Sequence, residues 1–203
     1  MALSFDQWLE FIIALSAPGS HVGIWQFPGN AGDALNHSIH FCLNPHSVLA
    51  KLATKSAQRL FDIFPRIDGF GGLLSFEELP LNERLRFADS HVTLFKKVFA
   101  SGDWSEESFM WWERLIGAQW DDGTVVQRDR QLCDHMLVVF EQILEIPSES
   151  CQRSALHGLH EFGLNTTDPE RALKIVSEAI ALGCAWSDEI RSYAESVLNG
   201  TAQ

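Results

Sequence analysis

Tyrosine and positive charge are scarce in this chain. One Tyr stands against 14 Phe and 7 Trp, so the ring-bearing positions are chiefly apolar and suited to a core. Lys and Arg number 15 against 27 Asp and Glu, a formal net charge of −12. Nucleic-acid binding needs clustered cations to meet phosphates, and this balance argues against it. Long apolar runs are missing too: stretches such as 11–15 and 136–140 are far too short to span a bilayer. No Lys or Arg precedes Lys51, so the N-terminal stretch lacks the basic region of a signal peptide. The four Cys are scattered without paired spacing, and three fall on apolar stripes, which points to reduced, buried thiols. The expectation is a cytoplasmic protein with no membrane or nucleic-acid partner and no cofactor.

The 203 residues suffice for one substantial domain, and a hydrophobic share of 46% is ordinary for a globular one. Charge is distributed unevenly. Residues 1–102 hold 9 acids and 8 bases, whereas 103–203 hold 18 acids and 7 bases. A basic protein partner is favoured by such a half, although an acidic surface also serves simple solubility.

Apolar residues recur at three and four along most of the chain, which predicts helices. Ser4 and Gln7 form a capping box for a helix over 4–14, with Phe5, Trp8, Leu9 and Ile12 inward. Residues 19–34 read as a loop around Pro28 and Gly29, with a short extended piece over 21–27 and a helix beginning at 33. One continuous helix is expected over 45–64, stopped by Pro65, and then a long connection over 65–80. Further helices are expected over 81–100, 105–119, 124–146, 149–163, 169–182 and 187–199. Asp121-Asp122-Gly123 is a turn, Pro169 occupies a first helical position, Gly183 ends that helix, and Ser187 is a cap. Taken in pairs, these six make three helical hairpins after an N-terminal helical cap. The division is 1–80 and 81–203, within one continuous unit.

Two of the helices carry one pattern. Cys151, Ala155 and Leu159 correspond to Ile190, Ala194 and Leu198, 39 positions later. Ile190, Arg191, Ala194 and Leu198 resemble the second helix of a HEAT-like (armadillo-type) repeat, whose period is about 40 residues. Gln152 stands where Arg is usual, His160 and Asn199 stand where Gly is usual, and Gly163 closes the first copy. The resemblance spans roughly 124–200. It implies an all-α superhelix of about three hairpins, and a protein-binding scaffold more often than an enzyme. It also implies that second helices line a concave surface. On the helix of the first copy, Arg153, His157, His160 and Glu161 lie away from Cys151, Ala155 and Leu159, making a candidate contact row. The plain alternative is a solvated helix face.

Other clusters carry residue types suited to chemistry. Asp33, His37 and His40 share one helical face at spacings that metal ligation requires, so His37 and His40 are candidate ligands. No Glu-bearing zinc-protease motif accompanies them. Phe109-Met110-Trp111-Trp112 puts four apolar neighbours all round a helix axis. Either that helix is enclosed on every side, or one ring is exposed as a contact residue, with Trp111 and Trp112 the candidates. Trp104 and Trp120 are expected to join the same cluster. The glycines at 28–32 and 69–72 lack the strand and the Lys-Ser/Thr of a phosphate loop. No nucleophile elbow and no catalytic Cys signature appears. The expected function is therefore a non-enzymatic scaffold or regulator that holds a basic protein partner, such as an immunity-type inhibitor. A metal- or small-ligand-binding enzyme built on residues 33–46 is the alternative, and a homodimer through Trp111 and Trp112 is a further possibility.

Overall fold

The computed structural model describes residues 3–15, 30–68, 78–116, 130–165, 168–182 and 186–202. The expected loop over 19–29, the glycines at 69–72, Trp120, the 121–123 turn and Gly183 lie outside them. Eleven α-helices and no strand are present among the described residues: α1 (Phe5–Leu15), α2 (Ala31–Leu43), α3 (Pro45–Leu49), α4 (Thr54–Asp68), α5 (Leu81–Lys97), α6 (Ser105–Phe109), α7 (Trp111–Ile116), α8 (Arg130–Leu144), α9 (Glu149–Asn165), α10 (Pro169–Ala181) and α11 (Asp188–Leu198). The chain is all-α in these residues.

Local chemistry fixes most helix ends. The Ser4 amide donates to Gln7 Oε1 at 3.0 Å and the Gln7 amide returns to Ser4 Oγ at 3.2 Å, the reciprocal capping expected. α2 starts earlier than residue 33 because the Asn30 side chain accepts the Asp33 amide at 2.8 Å. Asp168, followed by Pro169, caps α10, and Ser187 caps α11. The helix expected over 45–64 is broken instead. The Lys51 and Leu52 amides bond three residues back, to Val48 and Leu49, and α4 restarts from Ala53. The break lets Val48 pack toward α5 while Leu60, Phe61 and Phe64 serve a different neighbour. Pro65 does not stop α4, which runs on to Asp68. Lacking an N–H for the Phe61 carbonyl, Pro65 removes one bond near the helix end, where little of the ladder depends on it.

α9 is the hub. It packs against α6, α7, α8, α10 and α11, and is buried along most of its length. α8 with α9 and α10 with α11 pair as expected. The first expected pair is not formed that way. The 105–119 stretch divides at Met110, and α7 lies against α4 and α9, while α5 lies between α2 and α8. α5 and the 3-10 turn after it (Phe99–Ser101) meet α7 through rings: Phe95 stacks on Trp112 at 5.1 Å, and Phe99 meets Trp111 at 5.4 Å. The 1–80 segment is joined to the rest through α2 on α5 and α4 on α7, and one apolar core runs from Trp8 to Val197.

That core is threaded by rings. Trp8 meets Phe64, Phe64 meets Trp111, and on the far side Trp112 meets Phe140 and Phe140 meets Phe162. Each aromatic contact adds about 0.5–1.5 kcal/mol beyond simple burial. Gly158 lies against the Phe140 ring, where an added Cβ would sit 2.4 Å from Cε1. Gly163 falls inside α9 rather than closing it, and brings α9 close to Ala172 of α10.

Candidate functional site

Where α6, α9 and α11 meet, aromatic and charged side chains gather at the surface. Phe109 ends α6, Arg153 and His157 are one turn apart on α9, and Tyr193 lies on α11. The Arg153 guanidinium carbon lies 5.1 Å from the Phe109 ring centre and 5.8 Å from that of Tyr193. The Phe109 ring stacks on His157 at 4.1 Å. Arg153 also faces Glu189 at 3.7 Å, a loose pair in which both partners are well exposed.

Beneath Arg153 runs a hydrogen-bonded chain. His157 Nε2 lies 3.1 Å from Glu113 Oε1, and His157 Nδ1 lies 3.3 Å from the Tyr193 hydroxyl. The Glu113 carboxylate can only accept, so Nε2 carries the proton. Burial lowers the His157 pKa, against opposing contributions from Glu161 and Glu113, which leaves the ring neutral at physiological pH. Nδ1 then accepts, and Tyr193 donates its O–H to it. Burial also pushes the Tyr193 phenol up to about 12, with Arg153 pulling the other way. This is opposite to the activation that a phenolate nucleophile needs. The chain Tyr193–His157–Glu113 therefore locks rings in place and presents Arg153 above them.

Two clefts flank Arg153. One, of about 310 Å³, is lined by Glu189, Ile190, Ser192, Tyr193 and Ser196. The other, of about 250 Å³, is lined by Ser105, Glu106, Phe109 and Ser150. Arg153 thus stands as a ridge between two shallow hollows whose polar walls are hydroxyls and carboxylates.

The structure redistributes the expected contact row. Arg153 is exposed, His160 and Glu161 are half-buried, and His157 is buried, wedged between helices rather than on a solvated face. Trp111 and Trp112 are both fully buried and present no contact surface, so neither can seat a partner or a second copy. Packing of α7 against α4 and α9, with α5 rings above, encloses them. Of the four-residue apolar run, Phe109 is the ring that joins the site, half-buried over His157. Trp104 meets Phe61 at 5.0 Å, joining the ring cluster as expected.

The His37 and His40 cluster is put to structural use. His37 Nε2 meets the Leu3 carbonyl at 2.6 Å, and Asp33 accepts the Leu3 amide at 3.2 Å. The pair clamps the backbone before α1, and a protonated Nε2 donating to a carbonyl is not a metal ligand. His40 packs edge-on to Phe5 at 4.6 Å. Among the described residues no three His, Cys, Asp or Glu side chains come together as a metal site. Among the same residues no helix is long and apolar enough to cross a membrane.

Sequence reading missed Tyr193 and Glu113. The signal for Tyr193 was present: it is the chain's one tyrosine, where every other six-membered phenyl position is Phe. A phenol kept in such a chain points to a hydroxyl in use. No family model matches the chain, and no curated protein or solved structure does either.

Proposed function

We propose that the protein is a non-enzymatic binding module whose contact surface is the Arg153 ridge, and that it holds a basic protein partner. The observation that carries this reading is the placement of Arg153 across Phe109 and Tyr193. Arg and Tyr are among the side chains that most often dominate binding energy at interfaces, and here the Tyr193 hydroxyl is tied to His157 while Arg153 lies across both rings. The ridge is bordered by Glu106, Glu113 and Glu189, carboxylates that steer a basic partner toward it. The paired packing of α8 with α9 and α10 with α11, and the inward Cys151, Ala155, Ile190 and Ala194 of both repeat copies, support a HEAT-like superhelical arrangement of these hairpins. An immunity-type inhibitor of a basic toxin is one role such a surface suits.

The test is affinity capture from a lysate of the native cell, with wild type and the double variant Phe109→Ser/Arg153→Ala side by side. A basic protein retained by wild type at low salt, weakened by added salt and lost with the variant is the expected outcome. Equal retention by both baits would reject the Arg153 ridge as the contact surface.

A further inference from the structure

A second surface lies between α8 and α10. Leu144, Ile175 and Ala179 form the floor of an open cleft of about 90 Å³, and Leu182 stands at its edge. Leu182 is 82% exposed, the most exposed large apolar side chain among the described residues. A single exposed leucine is unremarkable, but this one continues an apolar floor. The rim is acidic. Glu141 lies in the last turn of α8, Glu145 follows directly after its end, and Glu178 lies on α10. Among the described residues neither Glu141 nor Glu145 forms an ion pair, so both charges face the rim uncompensated. Lys174 meets only Glu178, at 3.7 Å and in the open.

From this combination we infer that the α8–α10 groove is a second docking site, and that its occupant is a basic amphipathic helix of a partner protein. The helix places one aliphatic anchor over Leu144, Ile175 and Leu182, with Lys or Arg one turn to either side of it. Charge selects that occupant. A second copy of this chain brings a further net −12 to an already acidic rim, and anionic lipid or nucleic acid is repelled for the same reason. The cleft admits one side chain, so affinity depends on the anchor and on the flanking cations together. This site shares no lining residue with the Arg153 ridge.

The probe is a synthetic amphipathic helical peptide with one Leu flanked by Lys at the fourth residue on each side. Its control has Ser for that Leu and the same charge. Titration against the full chain should show binding that falls by about tenfold or more for the control peptide, for Leu182→Ser and for Glu141→Lys/Glu145→Lys. Binding should be unchanged in Arg153→Ala, which separates this site from the ridge. Circular dichroism should show Leu182→Ser folded, since that side chain is almost wholly exposed. Equal binding of the two peptides would reduce the surface to unspecific charge and overturn the proposal. So would undiminished binding by Leu182→Ser, or a concentration-dependent dimer in light scattering that Leu182→Ser abolishes, which would assign the groove to a second copy.

Discussion

The indole N–H of Trp112 donates to Ser154 Oγ at 2.9 Å, deep between α7 and α9. Ser154 in turn donates to the Ser108 carbonyl of α6, so one small hydroxyl ties three helices to one another. Both residues are fully buried, and neither partner has water to fall back on. Ser154→Ala leaves the buried indole N–H without its acceptor and takes one donor from the Ser108 carbonyl. The expected cost is about 1–3 kcal/mol, read as a lower urea midpoint with unchanged slope. A midpoint within error of wild type would show that the hydroxyl is dispensable.

Gly158→Ala would normally strengthen a helix by nearly 1 kcal/mol. Here the new Cβ would sit 2.4 Å from the Phe140 ring, and at Gly163 it would sit 2.4 Å from the Ala172 Cβ. Both substitutions are therefore expected to destabilise, by about 1–3 kcal/mol. Gly163→Ala should be the worse of the two, because its obstacle is a Cβ fixed to backbone while Phe140 has a ring that can turn. Thermal unfolding of the two variants checks both the sign and the order.

His91 carries the clearest pH dependence. It is fully buried, its Nδ1–H donates to the Phe87 and Ala88 carbonyls, and its ring packs among Phe87, Trp111 and Trp112. Burial lowers its pKa from 6.5 to about 4. The folded pKa lies below the unfolded one, so the unfolded chain binds the extra proton between them. Stability from the neutral ring is thus complete above pH 6.5 and is lost as pH falls toward about 4, a loss of at most about 3 kcal/mol. The stability difference between wild type and His91→Gln should shrink as pH is lowered from neutral to about 5. A constant difference across that range would mean that His91 does not titrate as its burial dictates.

Cys42, Cys133 and Cys151 are buried, and burial pushes the Cys151 thiol up to about 11. A thiol held protonated under packed rings is a poor nucleophile. A disulfide reagent at neutral pH should react with these three only on the timescale of unfolding, and fast once denaturant is added. Rapid labelling of Cys151 in native protein would contradict its packing against Phe95.

Much of the helical layout was readable because it rests on local signals. Ser4 with Gln7, Asp168 with Pro169, and Ser187 each act within one turn, so their effect is written in neighbouring residues. The breaks at residues 50–53 and at Met110 carry no such signal. No Gly or Pro marks either, and each is decided by where Val48, Leu60, Trp111 and Trp112 must point once distant helices pack around them. The site shows the same split. Arg153, His157, His160 and Glu161 could be picked out as one polar row, but whether that row met water or other helices depended on partners 36 and 44 positions away.

By itself, the sequence determined an all-α chain with acidic excess in its second half, an aromatic core, and two matching helical copies, because periodicity, capping and charge are properties of neighbours along the chain. Only the tertiary structure decided that Trp111 and Trp112 are core, that Phe109 and Tyr193 hold Arg153 at the surface, and that His157 is neutral and enclosed. Burial, hydrogen-bond partners and shifted pKa values arise from what surrounds a residue in space, and α9 receives those surroundings from helices spread along the chain.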